Sequence, residues 1–157
     1  MSFLPFVAGI ILHHKTNIVM IASIIGISTG VLLIVVLAIL KRIDKQVFYG
    51  LVLAGIGFLY IGFAWTDLAS LVINSIQSLV FVLLAYFGIT RSADILVIGY
   101  FLHGIWDIVY DLFELPDLIP PHYDLFCLTV DFTIGIYLLI FAGTAKMNFA
   151  KKYRLFN

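Results

Sequence analysis

Apolar residues fill five runs along the chain, roughly 18–40, 47–66, 68–90, 95–114 and 125–144, with polar residues gathered in the short links between them. Each run approaches the ~20 residues that carry a helix across a bilayer. The pattern predicts an all-α bundle of five transmembrane helices, filling residues 1–157 as a single domain. A shorter apolar stretch, Phe3 to Leu12, is interrupted by Pro5 and ends at His13-His14-Lys15. It is too short to span, and no basic segment precedes it as in a signal peptide. It reads as an interfacial or re-entrant segment.

Within the runs, small residues recur at a helical spacing. Ala22, Gly26 and Gly30 form a stripe on the first helix. Lipid offers no hydrophobic drive for helices to associate, so such stripes mark close backbone packing. A single residue, Asp67, separates the second and third runs, which predicts a tight antiparallel hairpin. Pro120-Pro121 cannot continue a helix, and Asp124 after them is a candidate N-cap for the fifth. Tyr49, Tyr60 and Trp65 read as interfacial anchors.

Composition sharpens the class. The chain is 63% hydrophobic with zero net charge, which excludes a soluble domain and leaves no basic surface for nucleic acid. Membrane lipid is the expected surrounding. With one cysteine, Cys127, no disulfide can form within the chain.

The sparse charges are sorted by side. Eight of the nine cations, among them Lys41, Arg42, Lys45, Arg91 and the Lys146–Arg154 tail, fall on one face of the membrane. Lys and Arg are retained in the cytoplasm, so the N-terminus is expected outside and the C-terminus inside. The expected location is a cytoplasmic (inner) cell membrane, crossed several times, with the tail against anionic inner-leaflet lipid. Seven of the nine acids lie in or beside the opposite half: Asp67, Asp107, Asp111, Glu114, Asp117, Asp124 and Asp131.

Depth brings some of them together. At 1.5 Å of rise per residue, Asp107, Asp131 and Asn74 each lie ~10 Å below the outer ends of their helices, and His103 ~16 Å. His103, Asp107 and Asp111 share one helix face, as do Cys127 and Asp131, and Asn74 and Ser78. Ionisable groups facing lipid cost several kcal/mol, so these should face one another or a wet cavity. The expectation is an outward-opening polar pocket lined by helices two to five, closed below by apolar residues. Candidate catalytic residues are His103, Asp107, Asp131 and Asp111. Candidate substrate-binding residues are Asn74, Gln77, Tyr100, Trp106, Tyr110 and Cys127. His103, Asp107 and Asp131 are also candidate metal ligands, zinc first, with Cys127 or His122 as a fourth.

The run His103-Gly104-Ile105-Trp106-Asp107, with Tyr110-Asp111 behind it and Tyr123, Cys127 and Asp131 on the next helix, resembles a signature of small, uncharacterised microbial integral membrane proteins. These form a family of unknown function, and the likeness spans about residues 47–145. A looser similarity is to membrane hydrolases of the alkaline ceramidase and adiponectin-receptor type, which hold zinc between His and Asp on facing helices. This chain departs from that pattern, with five spans rather than seven and only His103 among its histidines in a spanning helix.

A buried hydrogen-bond network that merely fixes the bundle would suit Asn74 and Gln77. Two acids and a histidine suit it poorly, because apolar packing stabilises as much without desolvation. The leading expectation is a membrane-embedded enzyme, using acid–base or metal-assisted chemistry for isomerisation, cyclisation or hydrolysis of a lipid-like or isoprenoid substrate. The alternative is a non-catalytic module that binds a ligand or moves protons or a solute. A homo-oligomer would favour the latter by adding paths between subunits.

Overall fold

The computed structural model describes the backbone of residues 3–112 and 120–154, and the side chains of residues 16–110 and 120–141. The five expected helices are present: α1 (Phe3–Ile39), α2 (Lys45–Ala64), α3 (Leu68–Thr90), α4 (Ala93–Leu112) and α5 (Tyr123–Arg154). All five are long and apolar enough to cross a membrane. The protein is an all-α membrane bundle.

Local chemistry sets the ends. Asp44 caps α2, its side chain accepting from the amides of Gln46 and Val47. Asp67 caps α3 in the same way, accepting from the Ser70 amide at 2.7 Å. The Ser70 hydroxyl and amide hold the Asp67 carboxyl below its ordinary range. That acid therefore completes the α2–α3 hairpin and is not part of a deeper cluster. At the opposite end, Gln46 Nε2 donates to the Gly88 carbonyl at 2.6 Å, tying the start of α2 to the last turn of α3.

Three expectations about the ends need correction. Residues 3–15 are not a separate interfacial piece: α1 is continuous over 37 residues. At ~55 Å it outruns the ~30 Å hydrocarbon layer. Pro5 falls in its first turn, where its missing N–H costs no helical bond. The basic tail likewise continues α5 as helix to Arg154. Asp124 does not cap α5. It lies in the first turn, where a carboxylate complements the helix dipole. The chain enters α5 through a turn closed by the Tyr123 amide on the Pro120 carbonyl at 3.0 Å. His122 holds the third position with φ of 63°, the left-handed conformation that a type II turn requires there.

α2, α3 and α4 pack in sequence, α5 lies along α4, and α1 lies along α5. The small-residue stripe explains that last contact. A β-carbon on Gly26 would collide with Thr129 and the Phe126 carbonyl, and one on Gly30 would sit 2.9 Å from Thr133 Cβ. Most of the described residues of α1 otherwise face outward, with Ile24 and Leu32 each at least 60% exposed. Gly26→Leu should detach α1 from α5. The Tm in detergent should fall below that of the parent, and an unchanged Tm would show that the stripe does not hold the two helices together.

The core lies toward the end bearing Lys45 and Arg91. It is built from Tyr49, Leu53, Phe81, Ala85, Leu96, Val97, Tyr100, Ile134 and Leu138. Tyr49, expected at the interface, is buried here, and its carbonyl accepts the Tyr100 hydroxyl at 2.8 Å. Trp65, by contrast, is 75% exposed at the acidic end, as an anchor should be.

Candidate functional site

Between this apolar core and the acidic end, four helices each contribute polar side chains to one level. α4 supplies His103 and Asp107, one turn apart on its inner face. α5 supplies Asp131, α2 supplies Tyr60, and α3 supplies Asn74, Gln77 and Ser78. His103, Asp107 and Asp131 are all at most 1% exposed.

The motif glycine brings α4 and α5 together here. A β-carbon on Gly104 would stand 2.7 Å from the Phe132 ring, so a larger residue at this crossing forces that ring to move. The close approach allows His103 Nδ1 to meet Asp131 Oδ2 at 2.7 Å. The same nitrogen lies 3.7 Å from Asp107 Oδ1. Asp107 Oδ1 also accepts the Tyr60 hydroxyl at 2.5 Å. The four residues fall in line as Tyr60, Asp107, His103 and Asp131, hydrogen-bonded at both ends with 3.7 Å between Asp107 and His103.

Two aromatic rings wall the imidazole. Phe81 packs edge-on against it with centroids 4.8 Å apart, and Tyr60 does so at 5.9 Å. His103 Nε2 and Asp107 Oδ2 complete no hydrogen bond among the described residues. Asn74 is buried with its amide facing the Tyr110 hydroxyl, again short of a hydrogen bond. Ser78 is fully used, donating to the carbonyls of Gly57 and Asn74.

Unmatched polar atoms in a low-dielectric interior are costly, and here they are concentrated at one level. Two carboxylates and an imidazole this close exchange protons as one unit and not as independent residues. The same three residues can coordinate a divalent metal: their donor atoms lie within 4.8 Å of one another.

The other candidates fall around this centre. Cys127 is buried one turn outward from Asp131, beside Tyr123, and is not one of the three grouped donors. Tyr100 lies on the core side, its hydroxyl spent on Tyr49. Tyr110 stacks against Tyr60 at 5.0 Å. Gln77 and Trp106 lie on the flank between α3 and α4, where they line a groove. The side chain of Asp111, with Glu114 and Asp117, lies outside the described residues.

Sequence reasoning missed Tyr60, taking it for an interfacial anchor. It is 1% exposed and bonded to Asp107. The signal was present: Tyr60 lies seven residues from Asp67, ~10 Å deep, level with Asn74 and Asp107.

The family described as "Family of unknown function (DUF6010)" matches residues 21–145. The match begins within α1, earlier than the resemblance at residue 47 suggested. No curated protein and no solved structure matches the chain.

Proposed function

We propose that this chain, which belongs to the family of unknown function DUF6010, is a membrane-embedded enzyme that moves protons on a lipid-like or isoprenoid substrate. The observation that carries this reading is the Tyr60–Asp107–His103–Asp131 line, buried among spanning helices. Buried ionisable groups in a membrane are expensive, and they are retained where they do chemistry or carry charge.

Each residue has a distinct part. Asp107 Oδ2 is the free atom and handles the substrate proton. Tyr60 holds the other oxygen of Asp107 and so fixes the carboxyl plane. His103 Nδ1 stands between the two carboxylates and relays a proton from one to the other. Asp131 receives it and orients the ring. Isomerisation by this route adds one proton to the substrate and removes another, so the cluster returns to its starting charge. Such acid–base help contributes ~10²–10⁴ in rate. Asn74 and Tyr110 close the outer side. The N-terminus is outside the cell and the cluster lies nearer the extracytoplasmic face.

The donor set also fits zinc. Two carboxylates and one imidazole are among its usual ligands, and three protein ligands leave a position open. His103, Asp107 and Asp131 would hold it, and a bound zinc would supply a Lewis acid and an activated water for hydrolysis. Movement of protons or solute right across the bundle is the weaker reading, because Leu53, Leu96, Val97 and Ile134 pack the space beneath the cluster.

Comparison of lipid extracts from cells with and without the protein, by mass spectrometry, tests the enzyme reading. A species should be depleted and an isomer or hydrolysis product gained. An unchanged profile alongside a shifted ion or solute gradient would overturn it. Elemental analysis of purified protein tests the metal. If zinc is held, His103→Ala and Asp107→Asn should both empty the protein; full loading in both variants excludes these ligands.

A further inference from the structure

The flank of α3 and α4 carries a groove of about 460 Å³. That is within the ~300–1,000 Å³ of small-molecule sites. Its rim is made of residues facing the membrane, among them Ile76 at 62% and Ile105 at 48% exposure. Two polar groups lie just behind its apolar inner wall. Gln77 is 5% exposed, lines the groove and has its Nε2 buried without an acceptor. Trp106 lines the same groove with its indole N–H in the same condition. Phe81 forms part of the wall, and its other side is the ring contact with His103.

Two N–H donors buried just behind an apolar wall, without acceptors among the described residues, call for an oxygen acceptor from outside once their side chains turn toward the groove, since hydrocarbon supplies none. The lining contains no Lys or Arg, so a phosphate or carboxylate would be desolvated there without a counter-charge. The acceptor must then be neutral. We infer that the groove is a lateral binding site for a single hydrocarbon chain ending in a neutral carbonyl, whose oxygen accepts from Gln77 Nε2 and Trp106 Nε1. This rests on the enzyme reading only for its purpose: the bound head would lie one aromatic ring from His103, and rotation of Phe81 would join the two. The substrate then comes sideways from the bilayer and not through an aqueous mouth.

Binding can be measured without turnover. The chain has two tryptophans, so Trp65→Phe leaves Trp106 as the only one. In maltoside micelles, a monoacylglycerol with a brominated chain should quench Trp106 saturably. Gln77→Leu should raise the midpoint about tenfold, equivalent to ~1.4 kcal/mol. Val80→Phe, which fills the groove from its membrane side, should abolish the saturable component. Asp107→Asn should leave quenching intact. Quenching that never saturates, that is equal for a brominated alkane, or that is indifferent to Gln77→Leu overturns the site. Saturable quenching in a protein that converts no lipid would instead count against the enzyme reading and leave the groove standing.

Discussion

Asp107→Asn should lower lipid conversion by ~10²–10⁴-fold while leaving the helical bundle intact. Asparagine keeps the shape of the side chain and can still accept the Tyr60 hydroxyl now bonded to Oδ1. It cannot gain or lose a proton at the atom that has no protein partner. Asp131→Asn should fall in the same range by another route, since an amide opposite His103 Nδ1 no longer receives its proton. Tyr60→Phe removes only the contact that orients Asp107 and should cost far less. The pH profile of the Phe variant should shift, whereas the Asn variants lose activity across the range. The readout is product formation by lipid mass spectrometry in reconstituted vesicles, with circular dichroism as the folding control. Near-normal conversion in Asp107→Asn would remove this residue from the mechanism.

The second large effect concerns stability. Asp131→Leu should destabilise the bundle by ~1–3 kcal/mol, because it leaves the buried imidazole without its partner. The double variant Asp131→Leu/His103→Leu should recover most of that loss. Apolar pairs of similar volume often match or exceed the buried polar pairs they replace. The Tm in detergent would show the single variant below both the parent and the double. A double variant no more stable than the single would mean that the contact at 2.7 Å is not what the single change removes. Recovery of stability without recovery of activity would separate the site's chemistry from its structural worth.

Much of this architecture was legible in the chain. The apolar runs were long enough to leave little choice, and the hairpin caps agree with the short links. Depth counting brought Asn74, Asp107 and Asp131 to one level because helical rise is constant. The stripe through Gly26 and Gly30 correctly pointed to close packing, and the structure supplies its partner, α5. What failed was whatever depends on rotation about a helix axis in a uniformly greasy helix. Tyr49 lies close enough to the start of α2 for an aromatic to face headgroups or core, and for Tyr60 only its depth spoke against the interface. The ends of α1 and α5 were misjudged because a helix leaving the bilayer meets no sequence signal that must stop it. The groove was not foreseen either. It is made by side chains from two helices that are each unremarkable alone.

The contact of Gly26 and Gly30 with Thr129 and Thr133 has a consequence for biosynthesis. α1 docks on α5, with roughly a hundred residues between the partners. At ~5–20 residues per second, translation leaves α1 waiting about 5–20 s for its mate. During that interval it must survive alone in lipid, which its charge-free run 18–40 suits. The hairpin of α2 and α3 can assemble meanwhile, so a ribosome that stalls before residue 123 leaves a nascent chain with α1 still undocked.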